Sequence, residues 1–428
     1  MSEEVKVSTR HALRVLRPGP FRRYIIGSSI SDTGTWMQVM AQGYVMSTLT
    51  NKAIMLGMAN LAAGLPMLLL TMAGGSAADR FDKRKILLAT QYLQIALAIS
   101  IGLLIMSGKI EIWHILAFAV VLGISNSFEM PTLNAFVPEL VTRDEIQSAI
   151  AVDRAVFHGS RVVGPSLAGI FIGAWGAASA FFCNAFSFAA LIIALFMIPP
   201  RSRGTAEDEQ KRASGIKEGF RYVAKDKPSL AMIGLIAATT VFIFPIITVM
   251  MPLYVRLVLH LGADRLGFLM GASAVGSVIG AIFLISIPHR KRVPVMMVNV
   301  CVVACAIFSL SHAPSFYVAT GLLILNSLGL AMNFGLANTI VQERAPDYLR
   351  GRVSAVFMLS FVGLMPVAGL GVTGLSDLIG MPTALAIAAV CYAVIALIVL
   401  ARVRRECSRP AAPEKPAAEP APPMAAAV

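Results

Sequence analysis

Gly75-Ser76-Ala77-Ala78-Asp79-Arg80-Phe81-Asp82-Lys83-Arg84-Lys85 separates two long apolar runs, 54–77 and 86–107. Carboxylates and four basic groups in so short a stretch cannot lie in hydrocarbon, so it reads as an aqueous turn between two membrane helices. Composition agrees. Of the 428 residues 57% are hydrophobic and 14% charged, with a mean hydropathy of +0.75, where soluble domains carry roughly 25% charged residues. A hydrocarbon core of ~30 Å takes about 20 apolar residues per helical crossing. Twelve stretches qualify: 24–49, 54–77, 86–107, 112–136, 147–173, 176–198, 229–255, 266–288, 293–312, 315–340, 353–376 and 381–401. The first follows Arg17, Arg22 and Arg23 without a small-residue cleavage site, so it reads as a retained helix and not a signal peptide.

The net charge of +13 invites a nucleic-acid partner. The basic residues recur in short clusters between apolar runs instead of forming one stripe interleaved with aromatics, which argues against that partner. Counted on alternate sides of the crossings, only Lys52, Lys109, Arg256 and Arg265 fall on one side, while Arg154 and Arg161 lie within a helix. The remaining Lys and Arg share the other side. A bias this large places both termini in the cytoplasm and requires an even number of crossings. Five cysteines, an odd number mostly in apolar runs, support neither a disulfide framework nor a zinc site; Cys301 and Cys305 read as packing residues. Gly102 to Lys109 imitates a phosphate loop, but five residues separate its glycines where four are needed, and Ile110 stands where Ser or Thr is required. No nucleotide, metal or other cofactor is expected, and no enzymatic activity, so transport would draw on an ion gradient.

The halves echo one another. Gly74 and Arg84 recur as Gly280 and Arg290, Asn134-Ala-Phe-Val-Pro-Glu139 as Asn338-Thr-Ile-Val-Gln-Glu343, and Ser148-Ala149 as Ser354-Ala355. Duplication predicts a six-helix bundle over 24–198 and a second over 229–402. Around them lie a cytoplasmic N-terminal segment (1–23), a polar cytoplasmic linker (199–228) with a short amphipathic helix near 215–223, and a Pro/Ala-rich tail (403–428) too poor in apolar groups to fold. His11 to Arg17 is expected to rest on the membrane surface through its basic face.

Gly75, Ala78, Asp79, Arg80, Lys83 and Arg84 resemble the loop between the second and third helices of the major facilitator superfamily. Ala77 replaces its usual Leu and Asp82 its second Gly. Gly164-Pro165 and Gly169 are similar to the antiporter motif of drug and proton exchangers, with Ser160 in place of a glycine. Phe21-Arg-Arg-Tyr24, Gly34-Thr-Trp36-Met37-Gln38 and Phe136-Val-Pro-Glu139 add a likeness to the bacterial branch containing macrolide and siderophore exporters, over nearly all of 20–402. The resemblance implies an all-α integral membrane protein with twelve helices in two pseudo-symmetric bundles, a monomer in the bacterial cytoplasmic membrane. It also implies that Gly75, Asp79, Arg80, Lys83 and Arg84 form a cytoplasmic charge network stabilising the outward-open state, and that Gly164, Pro165 and Gly169 form a bendable contact.

Charges inside membrane helices cost ~2.5 to 3.5 kcal/mol on insertion scales, so they are functional candidates. Asp32 lies about eight residues into the first helix, ~12 Å deep, and Glu129 about seven residues from the cytoplasmic end of the fourth, ~10 Å deep. At similar depth they could exchange a proton for a substrate; the alternatives are a cap at a backbone break near Gly34 for Asp32 and simple pairing with a neighbouring Arg for Glu129. Arg154, His158 and Arg161 share one face of the fifth helix, and Arg161 is expected to pair with Glu129. Ser31, Thr35, Gln38 and Gln42 form a polar stripe facing substrate, with Asn126 beside Glu129. Phe242, Phe244, Met250, Met332, Phe334 and Met358 supply adaptable apolar surface.

The sequence therefore reads as a secondary transporter, exporting an amphipathic small molecule in exchange for protons by alternating access, with membrane lipids its other contacts. An uptake carrier or facilitator without proton coupling is the alternative within transport; a lipid scramblase or a sensor is the alternative outside it.

Overall fold

The computed structural model describes residues 14–199, 216–284 and 286–407. The basic N-terminal segment through residue 13, the polar part of the linker and the Pro/Ala-rich tail beyond Cys407 lie outside the described residues. Apolar runs become helices because hydrocarbon offers backbone groups no partner other than their own helix. In the first half these are α1 (Pro20–Leu49), α2 (Ala53–Arg80), α3 (Lys83–Met106), α4 (Ile112–Phe136), α5 (Ile146–Trp175) and α6 (Ala178–Met197). A short helix, α7 (Ile216–Lys225), leads into the second half.

That half holds α8 (Lys227–Phe242) and α9 (Met251–Leu257) in one crossing, then α10 (Ala263–Leu284), α11 (Arg292–Leu310) and α12 (Phe316–Arg344). Next come α13 (Arg350–Met358) and α14 (Met365–Ile379), again sharing a crossing, and α15 (Met381–Cys407). Both divided crossings are interrupted by a π-helical turn, Ile246–Met250 and Leu359–Gly363. Each turn is followed by a Met-Pro pair, Met251-Pro252 and Met365-Pro366. A proline inside a helix removes a backbone donor, and the wider turn absorbs the mismatch.

Among the described residues eleven helical segments are long and apolar enough to cross a membrane. The twelfth crossing expected from the sequence, α1, is 30 residues long and packs between α5 and α6, but it falls short in hydropathy. Its Ser28, Ser29, Ser31, Asp32, Thr33, Thr35, Gln38 and Gln42 explain the shortfall.

Side-chain caps set several helix starts. Asp82 accepts from the Arg84 amide at 2.9 Å to begin α3, and Asp226 accepts from the Ser229 amide at 3.1 Å to begin α8. Each anchors helix donors that have no partner within their own helix.

The duplication is visible in the packing. Gly74 lets α2 touch the backbone of α4 at Ser127, and Gly280 lets α10 touch α12 at Leu328; at either place a Cβ would collide with a carbonyl oxygen. The turns after α5 and α14 likewise repeat, each at a glycine in the left-handed region, Gly176 (φ +80) and Gly380 (φ +84), which residues with a side chain rarely adopt.

Contacts between the halves gather at one end and at mid-depth. At the end opposite the Asp79 turn, the Asp377 carboxylate accepts from the amides of Ala53 at 2.7 Å and Ile54 at 2.9 Å. Arg256 donates to Asn51 Oδ1 at 3.2 Å. Pro252 sits against Gly43, Pro366 against Gly64, and Thr373 against Gly57. The bundle is thus closed at the end opposite the Asp79 turn.

Candidate functional site

Polar residues of the first half converge toward the Asp79 end of the bundle. On α1, Tyr24, Ser28 and Asp32 share one face at four-residue spacing. Tyr24 Oη donates to Asp153 Oδ1 on α5 at 3.0 Å, and Ser28 Oγ donates to Asp32 Oδ2 at 3.2 Å. From α4, Glu129 accepts hydrogen bonds from two side chains of α3, Gln91 Nε2 at 2.6 Å and Gln94 Nε2. Gln94 also reaches Ser125 Oγ at 3.1 Å and Asn126 Oδ1 at 3.4 Å.

Asp32 lies within the electrostatic reach of Glu129 on one side and Asp153 on the other. Arg154, which donates to Asn134 Oδ1 on α4, offsets part of this negative field at both aspartates. Three carboxylates from three helices therefore share one half-buried region, a place where a proton or a cationic group can neutralise excess charge. α1 runs unbroken through Gly34, so Asp32 is not the cap of a backbone break.

The ion pair expected between Glu129 and Arg161 is not made. Glu129 is satisfied by the two glutamines, and the Arg161 guanidinium lies over the Trp36 ring, 5.3 Å from its centroid. Equal depth along two helices does not fix the direction in which each side chain leaves its helix, and here the two diverge.

Gln38 also departs from expectation. It is buried and accepts from Asn184 Nδ2 of α6 at 2.9 Å, so it joins two helices and does not face the space between the halves. Gln42 is half-buried one turn farther along. Of the apolar candidates, Met250 and Met332 are buried packing residues, whereas Phe244 and Phe334 meet Phe361 at centroid distances of 4.6 and 5.2 Å. Cys301 and Cys305, expected in the packing, are exposed on the outer side of α11.

The antiporter-like residues hold α5 between the halves. A Cβ at Gly164 would come within 2.6 Å of Trp36 Cβ and 2.7 Å of Thr33 O on α1; one at Gly169 would come within 2.9 Å of Ala263 O on α10. Pro165 packs its carbonyl against Gly267 of α10. Ser160, standing where the motif has glycine, accepts from Thr33 Oγ1 at 3.1 Å and ties α5 to α1.

The charged turn binds its own half. Lys83 pairs with Glu139 at 2.8 Å. Arg84 donates to the carbonyls of Phe196 and Ile198 at 3.2 Å each, satisfying the end of α6, and lies 5.4 Å over the Phe196 ring. Asp79 and Arg80 are exposed, Asp79 makes no ion pair among the described residues, and the position of a Cβ on Gly75 is open space.

Sequence reasoning missed Gln91, Gln94, Asp153 and Tyr24. Gln91 and Gln94 carry a signal, two amides three apart in an otherwise apolar crossing, which places both on one helix face. Asp153 was overshadowed by the basic residues that follow it.

Known proteins resemble this chain in sequence and in fold. The chain is similar to the multidrug efflux pump Tap of Mycolicibacterium fortuitum, 23% identical over 354 residues, covering 79% of this chain and 84% of Tap. It is similar to the staphyloferrin A transporter of Staphylococcus aureus, 22% identical over 368 residues, covering 84% and 90%. The nucleoside transporter NupG superposes with a TM-score of 0.72 at 12% identity, over 90% of this chain and 99% of NupG. Residues 11–428 match the family model described as transmembrane secretion effector, so the chain belongs to that family and is a multi-pass membrane transporter of the major facilitator type.

Proposed function

We propose that the protein is a proton-coupled exporter of amphipathic organic molecules, working as a monomer in a bacterial cytoplasmic membrane with both termini in the cytoplasm. The two bundles, 24–198 and 229–402, rock about the space between them, joined by the linker 199–228. The reading rests on one observation above all. Glu129 of α4, cradled by Gln91 and Gln94 of α3, lies within electrostatic reach of Asp32 on α1. In a space walled by hydrocarbon a bare carboxylate is costly, and either a proton or a positively charged part of the cargo relieves that cost. Occupancy by one therefore expels the other.

Gly164, Pro165 and Gly169 give α5 the close, bendable seat along which the halves roll. Cargo would enter from the cytoplasm when the Asp79 end opens, and closure there would bring the second bundle onto the exposed Asp79 and Arg80. Similarity to a protein named multidrug efflux pump supports export, and similarity to one named staphyloferrin A transporter supports an organic cargo.

The test is reconstitution in liposomes under an imposed pH gradient, screened with macrolides, siderophores and lipophilic cations. Proton movement that depends on a compound is the expected result, and Glu129→Gln is expected to remove it while leaving downhill flux of the compound. Flux that is indifferent to both Asp32→Asn and Glu129→Gln, with no proton movement, overturns the coupling and leaves a facilitator.

A further inference from the structure

Arg161 is a cation near the middle of α5 with no ion-pair partner among the described residues. On one side of it Gly164 abuts Trp36 and Thr33 of α1, and on the other Gly169 abuts Ala263 of α10. Val163 and Ile170, on the opposite face of the helix, are 48% and 61% exposed. Arg161 therefore looks into the space between the halves and not toward lipid.

Its guanidinium is committed by one face only. The Trp36 ring lies 5.3 Å away beneath it, and Phe157 packs edge-on against Trp36 at 5.8 Å. A cation over an aromatic ring is held flat, and the five N–H donors of an Arg lie in its plane. None of them meets an acceptor among the described residues, and no ion pair reaches the group. Nearby carboxylates are engaged elsewhere, Asp153 by Tyr24, Asp32 by Ser28 and Glu129 by Gln91 and Gln94.

We infer that Arg161 receives a carboxylate of the transported molecule, with Trp36 and Phe157 flanking the apolar group next to it. An oriented guanidinium edge matches the two oxygens of a carboxylate in a way that a lysine cannot. The inference rests on the proposed use of this space as the cargo site and adds a chemical class to it: cargo bears an anionic group at one end. Because the Glu129 cluster lies on different helices, cargo of mixed charge can address both.

The test uses the full chain in lipid nanodiscs, with Trp113→Phe and Trp175→Phe leaving Trp36 as the single tryptophan of the original three. Bromine quenches indole emission on contact, so 4-bromobenzoate, 4-bromobenzamide and 4-bromobenzylammonium report occupancy beside Trp36 directly. Saturable quenching by the benzoate is expected at concentrations about tenfold below those the amide or ammonium requires, as befits a charge-assisted bidentate contact. Arg161→Gln is expected to raise the benzoate's half-saturation to that of the amide, and Arg161→Lys, which keeps the charge but not the fork, to raise it several-fold.

Equal quenching by all three probes overturns the inference, as does a benzoate response unchanged in both variants. Should Arg161→Gln fail to fold, Arg161→Lys decides alone. The two readings fail separately, because quenching beside Trp36 is read in nanodiscs without a pH gradient and proton movement is read in liposomes with one. Absence of compound-dependent proton movement in the unsubstituted protein, with the benzoate preference retained, therefore counts against the exporter reading only.

Discussion

The contact at the far end most open to measurement is the Asp377 carboxylate, which reaches across from α14 to the first amides of α2. The residue preceding α2, Lys52, provides no side-chain cap, so the second bundle supplies what the first lacks. Replacing Asp377 with Ala removes both bonds, at 2.7 and 2.9 Å. Asp377 is exposed, so water competes for the freed amides, and the appropriate magnitude is that of an N-cap, ~1 kcal/mol. The loss falls on the state closed at this end, since parting the halves breaks the bonds in any case. A shift of ~1 kcal/mol changes the ratio of closed to open by roughly fivefold at 25 °C.

A cysteine at Gln42, in a background without the native cysteines, reports opening through its labelling rate with a membrane-impermeant maleimide applied from that side. Asp377→Ala is expected to speed labelling about fivefold, and Asp377→Asn, a comparable capping residue, to leave it near the original rate. An unchanged rate in Asp377→Ala refutes the latch. Equal acceleration by Ala and Asn would show that charge and not capping holds the end shut.

Gln38→Ala is expected to destabilise the protein by about 1 to 3 kcal/mol, because it leaves Asn184 buried without its partner, while cargo preference stays the same; melting in detergent alongside transport competition checks both. Gly74→Val forces a side chain into the Ser127 carbonyl and is expected to cost about 1 to 3 kcal/mol or more, read as loss of the monodisperse peak in size-exclusion chromatography. Asp226 begins α8 and pairs with Arg344 at 2.6 Å; burial raises its pKa, but Arg344 and Ser229 outweigh this and hold the carboxyl below its ordinary 3.8. A depressed folded-state value means that its stabilisation is complete above the ordinary carboxylate range and disappears as the pH falls through the folded value. Acid titration of the melting temperature is therefore expected to show a loss below about pH 4 that Asp226→Asn, which retains the cap, diminishes.

The fold could be read from the chain because it depends on quantities that add along the sequence: apolar length, placement of charge, and the recurrence of Gly74 as Gly280. The intramembrane carboxylates Asp32 and Glu129 were legible for the same reason, a charge in an apolar run being conspicuous. Their partners were not. Whether Glu129 meets Arg161 or Gln91 depends on how α3, α4 and α5 are rotated about their axes, which spacing along one helix does not specify. The stripe containing Gln38 was correctly a stripe, yet only the placement of α6 decides that Asn184 covers it. Ser160 shows the same limit: it departs from the glycine of the motif, and its hydroxyl turns out to bridge to Thr33 instead of being merely tolerated.

The polarity of α1 bears on how the protein is made. A segment carrying Asp32 and many hydroxyls and amides enters lipid poorly by itself, and polar groups within a bilayer settle only when another helix supplies partners. For Gln38 that partner is Asn184, 146 residues later, which at 5 to 20 residues per second leaves the ribosome roughly 7 to 30 s afterward. During that interval the first segment must wait at the insertion machinery or in the interfacial layer. Nascent chains truncated before α6 should therefore leave α1 extractable by alkali, and chains extending past it should not.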